Sequence, residues 1–367
     1  MRRVGIGIIG CGGIANTHAA AVVRLAALGE AELAAVCDTL PERAEAFARQ
    51  YGATSVYTDS RELLRDPRVE AVLVCTPHPS HCPLAIQAAE ARKHVMVEKP
   101  LSVDLRQADE AIDAAKRAGI KFGVIFQRRF WPAAQRARRA IDDGKLGRII
   151  LGDCIVKWWR PKSYYDRDAW RGTWSAEGGG VMVNQAVHAI DMYQWLMGPV
   201  DTVYGLWGNL SHPYIEVEDT ALGALRFRNG AIGVIFTTVS TNPQLGSRIT
   251  ITGENGATIS VLEHPEGRAG INDVWTIPGE EEEAARRLAE EQANPDFMFR
   301  PRDLPPDERP LAERPLTYHG LQIQDFVRAV AEDRQPAVTA EEGRKAVEII
   351  TAIYQSGRTG QPVKLPL

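Results

Sequence analysis

From residue 3 to about 126, short apolar runs rich in β-branched residues alternate with longer stretches of helical period. The runs are VGIGII (4–9), ELAAVC (32–37), VEAVLVC (69–75), HVMVE (94–98) and KFGVIF (121–126), and helical stretches such as Pro41–Tyr51 and Val103–Ala118 separate them. Strands without a polar face, joined through helices, predict a parallel sheet covered on both sides. After about residue 148 strands follow one another. ALGALRFRNGAIGVIFTTVS and SRITITGENGATISVL each place two apolar runs around an Asn-Gly pair, Asn229-Gly230 and Asn255-Gly256, which predicts hairpins in a mainly antiparallel sheet. Helices are expected over 180–196, 320–332 and 341–356. Between residues 280 and 315 the chain is first acidic and then proline-rich, the pattern of a solvated helix followed by an irregular loop.

Composition narrows the function classes. With 367 residues, 44% hydrophobic and 25% charged, the chain reads as an ordinary globular protein long enough for two domains. A net charge of −4 leaves no excess of cations for a phosphate backbone or an anionic lipid surface, so neither nucleic acid nor membrane is expected as a partner. The start, from two arginines into VGIGIIGCGG, lacks the apolar core of a signal peptide, and no apolar run approaches the roughly 20 residues of a membrane span. A cytoplasmic location is expected. The five cysteines are scattered and show no CxxC spacing, so neither a disulfide framework nor a metal site is indicated.

Directly after the first run comes Gly10-Cys11-Gly12-Gly13-Ile14-Ala15, a GxGxxA fingerprint. Gly10 permits the tight turn, Gly12 lets backbone approach a pyrophosphate, and Ala15 allows close packing of helix on strand. The helix start offers unpaired N–H groups to the anion. Asp38, at the end of the second run, stands where a carboxylate binds ribose hydroxyls. It would repel a 2′-phosphate, so NAD is favoured over NADP, with Arg43 the residue that counts the other way. The fold class that follows is α/β: a doubly wound, six-stranded parallel Rossmann sheet over 1–126, then a C-terminal α/β domain over 127–367 with an open, mainly antiparallel sheet.

These segments, with Thr76-Pro77-His78-Pro79-Ser80-His81, Glu98-Lys99-Pro100, Gln127-Arg128-Arg129-Phe130 and the stretch Gly178-Gly179-Gly180 to Asn184, His188 and Asp191, appear in an order and spacing that resembles the glucose–fructose oxidoreductase, inositol dehydrogenase and rhizopine catabolism family, Gfo/Idh/MocA. The likeness covers nearly the whole chain. It implies an NAD-dependent oxidoreductase that moves a hydride between a secondary hydroxyl of a sugar, sugar derivative or cyclitol and the nicotinamide. Two other readings stay open: a redox-neutral glycosidase that uses NAD transiently, and a non-catalytic dinucleotide-binding regulator. The resemblance also implies a homodimer or homotetramer whose C-terminal sheets pack together.

By the same resemblance Lys99, after a cis Lys99-Pro100 bond, hydrogen-bonds the reacting hydroxyl, and His188 is the general base. An imidazole suits that task because its pKa lies near working pH. On a regular helix Asn184, His188 and Asp191 share one side. Inositol dehydrogenase-like members lead one to expect aspartate at position 184, and this chain has the neutral amide, which can orient a hydroxyl but cannot stabilise an imidazolium by charge. Gly13 and Ile14 of the fingerprint, with Thr76, Pro77, His81, Glu98 and Gln127, are assigned to the cofactor, and Arg128 to the substrate. Five of the eight tryptophans lie between residues 158 and 195. Aromatic faces suit the C–H faces of sugar rings. Trp159 and Trp195 are read as core, Tyr164, Trp170 and Arg171 as cleft-lining, with Trp170 and Arg171 reaching the nicotinamide.

Overall fold

The computed structural model describes residues 2–265, 269–293 and 309–367. It divides into two compact units, one of 1–127 with 306–344 and one of 128–305 with 345–367. In the first, strands β1 (Val4–Ile9), β2 (Ala31–Cys37), β3 (Ser55–Tyr57), β4 (Ala71–Val74), β5 (His94–Val97) and β6 (Phe122–Val124) form a parallel sheet in the order β3-β2-β1-β4-β5-β6. The five apolar runs correspond to five of these strands. The sixth, β3, is a three-residue, half-exposed edge too short to stand out as a run. The strand order reverses between β1 and β4, and a reversal of this kind opens a crevice at the carboxyl ends of those strands.

The boundary expected at residue 126/127 leaves all later chain in the C-terminal domain, whereas the helix Tyr318–Ala331 belongs to the first unit. Hydrophobic burial explains its placement. Ile323, Phe326, Val327 and Val330 join Val22, Leu25 and Ile6 in one core. The same helix serves the sheet's open edge. Gln322, itself buried, accepts a hydrogen bond from Phe126 N at 2.9 Å and donates to Val124 O at 2.8 Å, and with the backbone bridge between Gly123 and Thr339 it caps the β6 edge of the sheet.

The second unit is built on an eight-stranded sheet. Its strands are β7 (Ile149–Lys157), β8 (Val200–Gly208), β9 (Thr220–Phe227), β10 (Ile232–Thr238), β11 (Gly246–Gly253), β12 (Thr258–Glu263), β13 (Ala269–Ile271) and β14 (Val363–Lys364), in the order β13-β12-β11-β7-β10-β9-β8-β14. The β7–β10 pair is parallel and the other pairs are antiparallel. Both expected hairpins form. In each, the Asn side chain accepts from the backbone N–H two residues on, Asn229 from Ala231 and Asn255 from Ala257, both at 3.0 Å, while Gly230 and Gly256 adopt positive φ. One face of the sheet packs on the helix Val187–Met197, where Tyr193 donates to Gly152 O at 2.8 Å. The other exposes Leu151, Tyr204, Leu206 and Ile232.

The acidic segment is a helix, Glu281–Ala293, as expected; the proline-rich loop lies outside the described residues from 294 to 308. All five cysteines are buried free thiols. Among the described residues no helix is long and apolar enough to cross a membrane.

Gln322→Leu leaves the Phe126 N–H and the Val124 carbonyl buried without partners. The expected outcome is a loss of about 2–4 kcal/mol in urea unfolding, each orphaned group costing about 1–3 kcal/mol.

Candidate active site

In the first unit, β1 runs straight into the glycine loop. Gly10 has φ +91°, and a Cβ there would lie 2.9 Å from the Cys75 carbonyl and the Thr76 side chain, so this turn against the end of β4 admits glycine alone. A Cβ on Gly12 or Gly13 would meet nothing within 4 Å. Gly12 begins the helix Gly13–Ala27, whose start receives no side-chain cap, so its first N–H groups face outward as a pyrophosphate site requires. Ala15 is wholly buried and lets the helix sit close to the sheet, while Ile14 stands exposed. Asp38 is fixed beside the loop, with one oxygen accepting from Cys11 N at 2.9 Å and the other from Leu40 N at 3.0 Å. Arg43 lies 3.6 Å from the same carboxylate. Gln127, after β6, buries an Oε1 that has no partner among the described residues. The open loop, the Asp38 carboxylate beside it and this unmatched acceptor fit a dinucleotide.

The strand-end motifs divide into working and bracing residues. The Lys99-Pro100 bond is cis. Glu98, assigned above to the cofactor, turns inward: it meets His18 Nε2 at 2.6 Å and accepts from Lys99 N at 3.1 Å. Burial alone would raise the Glu98 carboxyl. The His18 hydrogen bond and the charges of His18, His319 and Lys99 hold it down to about 2. His81 has no exposed surface, and its ring nitrogens lie 2.8 Å from the carbonyls of Pro100 and Thr76. It ties the loop after β4 to the loop after β5, which is a bracing part where a cofactor contact was expected. Thr76 and Pro77 lie on the first of those loops, at the carboxyl end of β4.

In the second unit the run Gly178–Gly180 leads into a π-type turn, Val181–Ala186, that tightens to the helix Val187–Met197. A Cβ on Gly180 would lie 1.8 Å from the Glu218 carbonyl oxygen, so only glycine allows this approach. Glu218 itself is buried and takes the first N–H groups of the turn, Gly180 N at 2.8 Å and Met182 N at 3.0 Å. Burial pushes its carboxyl up to about 7, against the pull of those two N–H groups and of Tyr354.

Asn184 and His188 sit on this turn and on the helix it feeds. Asn184 Nδ2 donates to Glu177 Oε1 and, at 3.1 Å, to the Tyr164 hydroxyl. Gln185 Nε2 reaches the same hydroxyl at 2.9 Å, and Arg171 donates to it as well. The Arg171 guanidinium lies 4.4 Å from the Tyr164 ring centre and 4.5 Å from that of Trp170, and Asp168 pairs with it at 2.9 Å. Tyr164, Trp170, Arg171 and Asn184 thus form one cluster.

Three expectations change. The wider π turn breaks the regular spacing, and Asp191 turns inside to form a buried two-pronged pair with Arg129 at 2.6 and 2.8 Å, so it does not share a ligand-facing side with Asn184. Arg128, expected at the substrate, pairs with Glu263 at 2.7 Å and stacks on Trp131. Trp159 and Trp195 are half-buried at the margin of the core. The residue that sequence reasoning missed is Glu177. Between an alanine and a glycine run it carries no pattern, yet it is 1% exposed and accepts from Gly172 N at 2.5 Å as well as from Asn184.

Residues 4–126 match the model described as oxidoreductase family, NAD-binding Rossmann fold, and residues 138–365 match its C-terminal alpha/beta domain. The chain is 28% identical to the myo-inositol 2-dehydrogenase of Thermotoga maritima, covering 98% of each protein. It is also 28% identical to the scyllo-inositol 2-dehydrogenase (NAD(+)) of Bacillus subtilis, over 99% of this chain and 96% of that one. Among solved structures, the WlbA dehydrogenase from Bordetella pertussis in complex with NADH and UDP-GlcNAcA is 32% identical, with a TM-score of 0.83 over 100% of both chains.

The Glu218 shift has a measurable consequence. A carboxyl whose pKa is about 7 when folded and 4.5 when unfolded opposes folding once it ionises, so its contribution is most favourable below pH 4.5 and is lost as pH rises through 7. Thermal unfolding of wild type and Glu218→Gln between pH 4.5 and 8 should show the wild-type Tm falling more steeply; parallel curves would refute the linkage.

Proposed function

Because the chain belongs to the Gfo/Idh/MocA oxidoreductase family, with an NAD-binding Rossmann fold as its first unit, we propose that it oxidises a secondary hydroxyl of a sugar, sugar derivative or cyclitol. The observation that carries this reading is the cluster on the glycine-led turn, where Asn184, Tyr164, Trp170 and Arg171 offer polar groups and aromatic faces on the segment that continues to His188. The inositol dehydrogenases, and the dehydrogenase structure holding NADH and UDP-GlcNAcA, support the substrate class.

Bound NAD supplies the hydride acceptor. Gly12 and Gly13 would receive its pyrophosphate on backbone N–H groups, with Gly10 shaping the turn, Asp38 would accept from the ribose hydroxyls, and Gln127 would offer its buried carbonyl oxygen. The Lys99 ammonium hydrogen-bonds the substrate hydroxyl and favours the negative charge that grows on its oxygen. His188 takes the hydroxyl proton as the hydride leaves the same carbon. Asn184 orients the hydroxyl, and Tyr164, Trp170 and Arg171 hold the ring. The exposed apolar face of the second sheet, with Leu151, Tyr204, Leu206 and Ile232, is the surface through which we propose two copies pack, giving a homodimer or homotetramer.

NADH formation at 340 nm with NAD and NADP in parallel, across inositols, levoglucosan, aldoses, glucosides and UDP-GlcNAcA, should show turnover with NAD and one group of substrates. His188→Ala should lower kcat about 10²- to 10⁴-fold and leave NAD affinity nearly unchanged. Product formed without NADH would instead mark the redox-neutral glycosidase. Light scattering after size exclusion should give a dimer or tetramer that Leu206→Glu with Ile232→Glu dissociates; a wild-type monomer would remove the assembly proposal.

A further inference from the structure

A π-type turn bonds each N–H to a carbonyl five residues back, so the amides that open it must find partners elsewhere. In the turn Val181–Ala186 they go to one residue. Gly180 N donates to Glu218 Oε2 at 2.8 Å and Met182 N to Oε1 at 3.0 Å, while Val181 N, between them, donates to the Glu218 backbone carbonyl at 3.2 Å. Asn184 N then returns to Gly180 O at 3.1 Å, and the turn runs on into the helix whose second residue is His188. Each oxygen of the carboxyl group is matched to its own donor. A side-chain amide in its place would satisfy only one of the two and set its NH₂ against the other.

Glu218 is 1% exposed, and among the described residues no Lys, Arg or His side chain pairs with it. The titratable group that faces it is Tyr354, from the helix Ala340–Thr359, whose hydroxyl also leaves no room for a Cβ on Gly179. The charge of Glu177 acts on Tyr354, and Asp219, next in the chain, turns to the Ser211 and His212 N–H groups. Burial lifts the Tyr354 hydroxyl well above its ordinary range, so it keeps its proton while Glu218 ionises at about 7. Hydrogen bonds to a charged oxygen are shorter and roughly twice as strong as those to a neutral one. The turn is therefore held more firmly above pH 7 than below it.

We propose that Glu218 is a positioning residue for the dehydrogenase reaction: its carboxylate draws the amides of Gly180 and Met182 together and so sets where Asn184 and His188 stand. This rests on the reading of Asn184 and His188 given above. Glu218 acts through the backbone of the turn and does not touch substrate. Glutamine has the shape of the protonated acid and lacks the charge of the ionised one, so Glu218→Gln is a fixed copy of the low-pH form of the wild type.

Rates are measured by NADH formation with NAD and, as separate probes, myo-inositol, levoglucosan and UDP-GlcNAcA, between pH 5.5 and 8.5. The ratio of wild-type kcat to Glu218→Gln kcat at each pH cancels the titration of His188 and of every other group the two proteins share. It should rise from within about 3-fold at pH 5.5 to about 10- to 100-fold at pH 8.5, the scale set by a small misplacement of reacting groups, with a midpoint near pH 7 and the KM for NAD unchanged. A residue that served folding alone would give a ratio independent of pH.

Circular dichroism checks that each variant is folded. Where Glu218→Gln does not fold, Tyr354→Phe decides: it removes the hydroxyl that holds the Glu218 carboxyl down, so the pH at which kcat falls should move up by about half a pH unit or more. A ratio that stays flat, or an unmoved profile in Tyr354→Phe, while His188→Ala lowers kcat as expected, overturns the role of Glu218 alone. Absence of wild-type turnover with all three probes, or full activity in His188→Ala, overturns the reading on which the proposal rests and the proposal with it.

Discussion

A helix must hand its first backbone N–H groups to something, and the two units meet this demand in opposite ways. In the first, the helix Gly13–Ala27 starts at a glycine that offers no cap, so the amides stay available to an anion. In the second, the turn beginning at Gly180 gives its amides to the buried carboxylate of Glu218. The open start makes a binding site for a phosphate-bearing cofactor. The closed one makes a rigid platform from which Asn184 and His188 project. Glycines are required at both places for different reasons: at Gly10 the backbone takes positive φ, and at Gly180 another chain segment comes too near for a side chain.

Much of this was legible from hydrophobic patterning. Runs that are apolar on both faces became parallel strands, and both Asn-Gly pairs became hairpins because asparagine and glycine each satisfy a local requirement of the turn. What escaped were features decided by partners far along the chain. Periodicity shows that Tyr318–Ala331 has an apolar face but not which sheet receives it. Glu98 and His81 belong to motifs that suggest a ligand, yet their burial directs them to His18 and to loop carbonyls. Glu177 has no sequence signature, since its meaning comes from Gly172 and Asn184 converging on it.

Several buried acids face a basic side chain, whereas Glu218 is met by backbone N–H groups. Arg129 with Asp191, His18 with Glu98 and His212 with Asp219 are each desolvated pairs whose members would be costly alone. His212 shows why such pairs are not catalytic by default. Its Nδ1 lies 2.9 Å from both the Ser211 hydroxyl and Asp219, and its Nε2 lies 2.9 Å from the Arg160 carbonyl, so both ring nitrogens are held by neighbours in the fold. Geometry separates this brace from the cluster around Asn184, although both hold the same kinds of residue.

The Gln322 side chain that completes the edge of β6 carries a consequence for synthesis of the protein. When the first 127 residues have left the ribosome, their six-stranded sheet still has a bare edge, and nearly two hundred more residues must follow before the amide that covers it exists. Contacts so distant in sequence form late. Until then the growing chain displays the unpaired backbone that recruits chaperones or another nascent copy.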